Sequence, residues 1–383
     1  MRNPHFPYTK IRVIFRIPTM FRSGWEIYLP PLTIASTRSE KMSDKYSPVK
    51  TLLLSTSDLK KVLDMNDVLT AVENAFRLRG LDRVQMPPKV YLFFDKFNGD
   101  IRTMPSYIED IGVSAVKIVN VHSDNPKKYG MRTVMATIVL IDPANGSPIS
   151  IMDGSIITDI RTGAASGVAT KYLARKDSRN LGIIGAGSQS HTQLLAILNT
   201  LVKLDDVKIY DLLPEKAKAF AEEANKLYSK RIKKVTAVDD PKDAVQGMDV
   251  IVTCTPSRKP IVKDSWISKG QHINCIGADA PGKEELEPAV LKRGKVIIDD
   301  WEQASHSGEI NVPISKGLFS QKNVYGNIGE IVAGKKPGRE SHDEITIFCS
   351  TGLAIQDAVT AKLAYDAARK KGLGHEFEMI HPL

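Results

Sequence analysis

Cysteine is scarce in this chain of 383 residues, which contains only three: Cys254, Cys275 and Cys349. An odd number argues against a disulfide framework, and their spacing matches no metal site, so we expect neither. Two of them interrupt apolar, strand-like segments, where a free cysteine behaves as a small buried hydrophobic residue. The cysteine content therefore indicates a reducing compartment, and we predict a cytoplasmic protein.

Long apolar runs are also missing from the sequence. The longest have the length of a strand, far below the roughly 18 residues that indicate a transmembrane helix. We therefore expect no membrane span. The hydrophobic fraction of 42% and the charged fraction of 25% are typical of globular proteins, and the length of the chain favours two domains.

Acidic residues are outnumbered by basic ones, and the formal net charge is +9. The basic residues form no long runs, however, and their densest group, at 230–234, follows a predicted surface helix. We interpret that group as a solvated face and predict no nucleic-acid partner. A cleft that binds a pyrophosphate and a carboxylate would also favour local positive charge.

The first 41 residues differ from the rest of the chain, with seven Lys or Arg and two acidic residues. A targeting presequence has this balance, but Arg12, Arg16 and Pro18 interrupt the apolar stretches. Met42 begins a segment that resembles an ordinary start. We predict that residues 1–48 are an N-terminal extension that is disordered or belongs to a wrongly assigned start.

Strands follow one another in the first third of the chain. After a helix predicted at 66–80, apolar segments predict strands at 89–94, 101–104, 114–121 and 133–141. Strands without helices between them favour an antiparallel or mixed sheet. A helix rich in small residues is predicted next, at 159–175.

Strands and helices alternate in the remainder. Strands are predicted at 181–184, 207–210, 250–253, 272–276, 295–298 and 345–348, and helices at 189–202, 214–228, 285–292 and 351–370. Alternation of this kind predicts a doubly wound parallel sheet of the Rossmann type. The pattern leaves open whether the last helix returns to the first domain.

A glycine-rich loop opens this alternating region. Gly185 and Gly187 directly follow the apolar run 181–184, and the two glycines would allow a tight turn and a close approach to a pyrophosphate. Ser188 and Gln189 would contact the phosphates. Ser190 stands in place of the usual third glycine, so this nucleotide-binding motif is incomplete.

Asp211 ends the second strand, 24 residues after Gly187. A carboxylate there would bind the ribose hydroxyls of NAD. Leu212 and Leu213 follow instead of an arginine, which favours NAD over NADP because a carboxylate repels the 2′-phosphate. The alternative is that Asp211 is only a turn residue at a strand end.

Two further loops follow predicted strands of the parallel sheet, at 253–257 and 277–283. Ligands bind at the carboxyl ends of such strands, so we predict that Thr255 and the second loop contact the cofactor. Asp279 would then lie near the nicotinamide. The alternative is that it only forms the turn before Pro281.

Three cations lie in or beside strands of the first domain: Lys89, Arg102 and Lys117. Lys117 is flanked by apolar residues, and a desolvated lysine can exchange protons near neutral pH. Arginine suits bidentate binding of a carboxylate. Each of the three could equally be a surface residue of a strand.

Eight blocks of sequence resemble the ornithine cyclodeaminase/mu-crystallin family, and within it the archaeal alanine dehydrogenase branch. They occur in the family's order, from about residue 50 to the C-terminus, at 86–92, 100–105, 116–120, 161–165, 255–260, 276–286, 308–311 and 350–357. The resemblance implies a homodimer with a Rossmann domain at 166–349. An α+β substrate-binding and dimerisation domain would comprise 49–165 and 350–383.

The resemblance also implies roles for individual residues. Lys117 matches the catalytic proton donor and acceptor, and Asp279 a residue that assists proton transfer or activates water. Lys89 and Arg102 match positions around the substrate carboxylate, and Arg161 an arginine at the junction of cofactor and substrate. Cofactor contacts match Ser188, Gln189, Asp211, Gly277, Ala278, Asp279, Lys283 and Ser350.

The implied reaction is the reversible, NAD-dependent oxidative deamination of L-alanine to pyruvate and ammonia, with hydride transfer from Cα to the nicotinamide. Alternatives within the family are cyclisation of L-ornithine to L-proline with loss of ammonia, and reduction of cyclic imines. A crystallin-like protein that binds NAD(P) or another ligand without turnover is a further alternative. The expected partner is a small amino-acid substrate, and we predict no metal.

Overall fold

The computed structural model describes residues 48–381. Residues 1–47, which make up nearly all of the predicted N-terminal extension, lie outside the described residues. Within the described range no helix is both long and apolar enough to cross a membrane.

The first half of the described chain forms most of a mixed sheet and the helices that cover it. Its elements are β1 (Val49–Leu54), α1 (Thr56–Val62), α2 (Met65–Gly80), β2 (Val84–Gln85), β3 (Val90–Phe94), β4 (Gly99–Ile108), β5 (Val113–His122), α3 (Asn125–Tyr129), β6 (Val134–Ile141), β7 (Pro148–Asp153) and α4 (Gly154–Leu173).

The second half contains the parallel sheet. Its elements are β8 (Asn180–Ile184), α5 (Ser188–Leu201), β9 (Leu204–Tyr210), α6 (Pro214–Tyr228), β10 (Ile232–Ala237), β11 (Val250–Thr253), β12 (Arg258–Val262), β13 (His272–Cys275), β14 (Glu284–Leu286), α7 (Pro288–Arg293), β15 (Lys295–Ile298), α8 (Trp301–Ser307), α9 (Asn311–Ser315), β16 (Val324–Asn327), α10 (Ile328–Val332), β17 (Thr346–Cys349), α11 (Ala354–Lys371) and β18 (His375–Ile380).

The first sheet has the order β18-β1-β7-β6-β5-β4-β2, with β3 also paired to β4. β1 and β7 are parallel and the other pairs are antiparallel, as the run of strands predicted. On β4 and β5 every second side chain is buried. Because Arg102 lies opposite Val119 and Met104 opposite Lys117, Arg102 and Lys117 share the buried face.

Two helices cover that face. α4 is buried along most of its length and packs on α2, α5 and β6. Its small residues allow this close packing, and at Gly163 an added Cβ would come within 2.4 Å of the Thr192 carbonyl oxygen. α11 contacts β4, β5, α2 and α4. The C-terminal helix therefore returns to the first sheet, which the sequence pattern left open.

The second sheet is parallel throughout, in the order β10-β9-β8-β11-β13-β17-β15-β16. Apolar clusters cover both of its faces. The predicted Rossmann-type sheet is thus confirmed. The strand order reverses between β8 and β11, and ligands bind at such a reversal. The domain boundaries themselves stay a prediction.

Some predicted elements differ from the structure. The helix predicted at 285–292 begins later in the structure: β14 occupies 284–286, and α7 starts at Pro288, whose ring suits the first turn of a helix. The strands β7 and β10 were not predicted. Part of the basic group at 230–234 lies on β10, an edge strand, where exposed lysines oppose pairing with other chains.

Candidate active site

The glycine-rich loop leads from β8 into α5. Gly185 has a φ of +107°, and a Cβ there would lie 2.9 Å from the Cys254 carbonyl oxygen, so the position requires glycine. Gly187 precedes the first turn of α5 as its N-cap, and no atom lies within 4 Å of its hypothetical Cβ. The backbone is therefore accessible where the first amides of α5 point outwards.

A cavity of about 500 Å³ opens beside this loop. It brings together six residues that the sequence predicted to contact the cofactor: Gly185, Gly187, Asp211, Leu212, Leu213 and Thr255. An apolar and glycine-lined cavity at the end of parallel strands suits a flat nucleoside.

Asp211 is fixed in that cavity by backbone groups. Its carboxylate accepts hydrogen bonds from Ala186 N at 2.7 Å and from Leu213 N at 2.9 Å. None of the cations in the described range forms an ion pair with it. Its negative charge is therefore not neutralised where a ribose would lie.

The side chain of Gln189 points away from this cavity. Its Nε2 donates to Asp159 Oδ1 at 3.2 Å, and Asp159 also pairs with Arg132. Ser188 begins α5, so its backbone amide lies in the first turn. Of the two predicted phosphate contacts, the side chain of Gln189 is thus already engaged by α4.

A buried ion triad lies beneath the first sheet. Lys117 Nζ lies 2.7 Å from Asp357 Oδ2, and Arg161 Nε lies 2.9 Å from Asp357 Oδ1. None of the three side chains is more than 6% exposed. One carboxylate from α11 thus holds two cations, one from β5 and one from α4, and an unpaired charge at this depth would be costly.

Burial lowers the pKa of Lys117 to about 7, and the neighbouring Arg161 acts in the same direction. Asp357 opposes the shift without cancelling it. A lysine with such a pKa can release or accept a proton near neutral pH, which is the property that an acid–base residue requires.

Arg102 connects the two sheets. Its guanidinium binds Asp100 through two hydrogen bonds, of 2.9 and 3.0 Å, and its Nη1 lies 3.2 Å from Asp279 Oδ2. The ring of Tyr91 lies beside the guanidinium, 5.2 Å from its carbon to the ring centroid. Asp100, Asp279 and Tyr91 therefore fix the guanidinium of Arg102 from three sides.

Asp279 follows β13 and lies between Arg102 and Lys283, whose Nζ is 2.6 Å from Asp279 Oδ1. Burial acts against the ionised form, but Lys283 and Arg102 outweigh it and hold the pKa of Asp279 well below its usual range. All three residues line a cavity of about 550 Å³, and Pro256 lines both this cavity and the one beside Asp211. The two cavities are thus neighbours.

Lys89 differs from the other cations of the site. Its Nζ donates to the Thr351 carbonyl oxygen at 2.5 Å, and it forms no ion pair with any carboxylate of residues 48–381. Burial, followed by the charge of Arg102, lowers its pKa to about 8. Lys89 is therefore free to pair with an anionic ligand.

The segment that begins at Ser350 is held by a buried aspartate. Asp299 accepts hydrogen bonds from Thr351 N at 2.6 Å and Gly352 N at 2.9 Å, and Ser350 Oγ lies 3.3 Å from it. Burial raises the pKa of Asp299. The hydroxyl of Ser350, predicted to contact the cofactor, is thus directed at Asp299.

Four acidic residues of the site were missed in the sequence: Asp100, Glu285, Asp299 and Asp357. Three of them lie within blocks that resemble the family, but Glu285, Asp299 and Asp357 have partners that are distant in the sequence. Their roles become visible only when the strands are paired. The described residues contain no group of three His, Cys, Asp or Glu side chains that could hold a metal ion.

Comparison with known proteins identifies the same family that the sequence blocks resemble. The model of the ornithine cyclodeaminase/mu-crystallin family matches residues 49–372. Alanine dehydrogenase of Archaeoglobus fulgidus is 46% identical over 332 residues, which cover 87% of this chain and 99% of that protein.

Two solved structures have the same fold. An archaeal alanine dehydrogenase dimer with bound NAD is 46% identical, with a TM-score of 0.81, covering 86% of this chain and 99% of that one. The Thermococcus litoralis Δ1-pyrroline-2-carboxylate reductase, in complex with NADH and L-proline, is 42% identical, with a TM-score of 0.82 and coverage of 85% and 99%.

Proposed function

The chain belongs to the ornithine cyclodeaminase/mu-crystallin family, and we propose that it catalyses the reversible, NAD-dependent oxidative deamination of L-alanine to pyruvate and ammonia. The observation that carries this proposal is the group of cations near Asp279: Arg102 and Lys283 contact it, and Lys89 lies close enough to Arg102 and Asp279 for their charges to act on its pKa. Lys89 has no carboxylate partner among the described residues, and Arg102 is fixed beside Asp279. An amino-acid carboxylate would pair with Lys89 and with Arg102 there.

The cofactor residues fit a dinucleotide. Asp211 would bind the adenosine ribose, and the backbone at Gly185, Gly187 and Ser188 would bind the pyrophosphate. Thr255 would lie between the adenosine cavity and the rest of the cofactor. Gly277, Ala278, Lys283 and Ser350 would surround the nicotinamide end. When bound there, NAD would supply the acceptor for the hydride that leaves Cα of the substrate.

The chain's own residues would orient the amino acid and move its protons. Lys89 and Arg102 would hold the carboxylate so that Cα faces the cofactor cavity, with Arg161 behind them. Loss of hydride leaves an imine, to which water adds before ammonia leaves. Lys117, with a pKa of about 7, would take the proton from water and return one to the departing nitrogen.

Asp279 would act differently from Lys117. Its depressed pKa keeps it ionised, and a carboxylate of this kind is a poor proton acceptor. We therefore assign it the orientation of the attacking water through a hydrogen bond, with Lys283 and Arg102 holding it in place.

We also propose a homodimer, as the archaeal relative forms. Strand β3 and the turn after it carry apolar side chains that are between 38% and 63% exposed: Val90, Leu92, Phe93, Phe94 and Phe97. A cluster of this kind on one edge of a sheet favours burial against another chain. A cytoplasmic location remains the prediction made from the cysteine content.

A second candidate is the reduction of a cyclic imino acid. The Thermococcus relative is a Δ1-pyrroline-2-carboxylate reductase, and such a substrate also carries a carboxylate next to the carbon that exchanges hydride. The same cations would bind it, and Lys117 in its ammonium form would protonate the ring nitrogen.

A substrate panel tests the proposal. We expect L-alanine and NAD to yield NADH and pyruvate in equal amounts, and pyruvate with ammonia to consume NADH. Faster consumption of NADH with Δ1-pyrroline-2-carboxylate would favour the second candidate. Proline formed from L-ornithine without net NADH would indicate a cyclodeaminase, and no turnover with any of them would contradict an enzymatic role.

A further inference from the structure

Glu285 lies on the short strand β14, directly behind the two loops that follow β11 and β13. Its side chain is fully buried. Among residues 48–381 it forms no ion pair, so its partners are hydrogen-bond donors alone. Burying a carboxylate without a cation costs free energy unless hydrogen bonds compensate. The number of donors directed at the Glu285 carboxylate explains how its burial is tolerated.

Four donors converge on the Glu285 carboxylate, and all of them come from those two loops. Oε1 accepts from the backbone N and the hydroxyl of Thr255, each at 2.7 Å. Oε2 accepts from the Thr253 hydroxyl at 2.7 Å and from Gly277 N at 2.9 Å. Each oxygen is thus saturated, and one side chain joins the ends of two neighbouring strands.

The two loops approach each other very closely at this point. A Cβ on Gly277 would lie 2.0 Å from the Thr255 carbonyl oxygen and 2.7 Å from Glu285 Oε1. Backbone atoms cannot make room for such a group, so the contact between the loops requires glycine. The spacing of the loops is therefore fixed within narrow limits.

Glu285 is itself held in place from behind. Its backbone N donates to Glu309 Oε1 at 2.8 Å, and Leu286 N donates to the same oxygen at 2.7 Å. Strand β14 also pairs with β12, which continues the first of the two loops. The carboxylate therefore stands on a rigid support and not on a mobile loop.

We propose that Glu285 is a positioning residue that sets the spacing of the Thr255 and Gly277 loops and thereby the seat of the nicotinamide end of NAD. This inference rests on the cofactor assignment but not on the identity of the substrate. Removing the carboxylate would leave the Thr255 N–H, the Thr255 hydroxyl and the Thr253 hydroxyl without their acceptor, and Gly277 N with only its bond of 3.2 Å to the Thr253 carbonyl oxygen. The loops would then separate or rotate to find new partners.

The test is NADH binding, measured by the fluorescence of the nucleotide in the absence of substrate. We expect Glu285→Ala to raise the Kd for NADH at least tenfold and to change the emission of bound NADH at saturation. Glu285→Gln keeps one acceptor oxygen and turns an amide towards Gly277 N, so its effect should be smaller. Thr253→Val, which removes a single donor, should have the smallest effect.

Glu284→Gln is the matched control. Glu284 is the preceding residue of the same strand, is also buried, and pairs with Lys316 at 3.2 Å instead of with the loops. We expect its Kd and emission spectrum to equal those of the wild type. Circular dichroism and the Tm of each variant separate a positioning effect from general destabilisation, because a purely structural role would lower the Tm and leave the emission of bound NADH unchanged.

If Glu285→Ala does not fold, Glu285→Gln and Thr253→Val decide the matter. Folded variants that bind NADH with the wild-type Kd and emission would overturn the positioning role while leaving the cofactor site intact. A wild-type protein that fails to bind NADH would overturn the positioning role together with the cofactor assignment. Failure of the substrate panel alone would affect only the proposed reaction.

Discussion

The two sides of the site handle charge in opposite ways. On the substrate side, Lys117, Arg161 and Asp357 are almost completely buried, and the one carboxylate pairs with both cations, at 2.7 and 2.9 Å. On the cofactor side, Asp211 lines an open cavity and is held by backbone N–H groups without a cation. The first arrangement depends on side chains from distant segments, and the second on a continuous strand, loop and helix.

This difference suits the buried side to proton transfer and the open side to recognition of the cofactor. Desolvation is strong enough on the buried side to bring the pKa of Lys117 to about 7, whereas water screens the charges of the open side. Variants on the buried side should therefore affect rates and pH dependence strongly. Variants on the open side should change cofactor affinity by smaller factors.

The largest effect is expected from Lys117→Met. Methionine fills the same space without a proton to exchange, and loss of a general acid–base group typically costs about 10³-fold in rate. We expect kcat to fall by this order in both directions of the reaction, with the Kd for NADH unchanged. Steady-state kinetics and NADH fluorescence measure the two quantities.

Lys269→Met is the control for that variant, because Lys269 is an exposed lysine paired with the equally exposed Asp343 at 3.0 Å. Its kinetics should match the wild type. A wild-type kcat in Lys117→Met would show that Lys117 does not transfer protons in the reaction. The buried side of the site would then have no demonstrated role in catalysis.

Lys89→Met should produce the next largest effect. A charge-assisted hydrogen bond contributes about 1.5–3 kcal/mol, so the KM for the amino acid should rise by about 10²-fold with little change in kcat. Lys89 has no carboxylate partner among the described residues, and its removal should leave the Tm near the wild-type value. Arg102→Met is the contrasting variant, since it also leaves Asp100 and Asp279 without their shared cation.

If the two variants lower the Tm equally, Lys89 is structurally paired after all. A substrate KM that stays at the wild-type value in Lys89→Met would mean that the carboxylate binds elsewhere. Either result can be read from thermal melts together with initial rates at increasing substrate concentration.

The same contrast explains what could be predicted from the sequence. The dinucleotide loop and Asp211 lie close together along the chain, so spacing alone predicted them as a cofactor site. The role of Asp357 depends on α11 crossing back over β5, 240 residues after Lys117. No local pattern encodes that contact, and only the resemblance of the block at 350–357 pointed to the segment.

Glu285 shows a second limit of local patterns. The segment 284–292 contains helix-forming residues, and a helix was predicted there, but pairing with β12 makes the first three residues a strand. Tertiary pairing overrides propensity in short segments. The carboxylate that joins the two loops was missed for this reason.

Asp357→Asn should shift the pH dependence of the reaction. Asp357 stabilises the ammonium form of Lys117, while Arg161 and Lys89 oppose it. Without the carboxylate, the pKa of Lys117 should fall below about 7. Oxidative deamination, which needs the neutral amine, should then reach its plateau at lower pH, and the reductive direction should lose activity at lower pH.

Well above pH 7 we expect the reductive rate of Asp357→Asn to fall about tenfold for each unit by which the pKa of Lys117 falls, since the protonated fraction changes tenfold per pKa unit there. Profiles of kcat/KM in both directions measure the shift. Asp366→Asn, on the same helix and paired with Lys362 at 2.5 Å, is the control and should leave both profiles in place. A shift to higher pH would contradict the role of Asp357.

The smallest effect is expected on the open side, from Asp211→Ser. Serine retains a hydroxyl but removes the charge that faces the ribose. A charge-assisted hydrogen bond of about 1.5–3 kcal/mol is thus exchanged for a neutral one of about 0.5–1.5 kcal/mol. We expect the kcat/KM for NAD to fall by less than tenfold and that for NADP to rise, because Lys216 lines the same cavity and could then pair with a 2′-phosphate.

Asp206→Ser, on strand β9 just before Asp211 and outside the cavity, should change neither value. The ratio of kcat/KM for the two cofactors is therefore the decisive measurement. An unchanged ratio in Asp211→Ser would mean that NAD is selected by the shape of the cavity. Cofactor choice would then depend on packing, and the unpaired charge of Asp211 would play no part in distinguishing NAD from NADP.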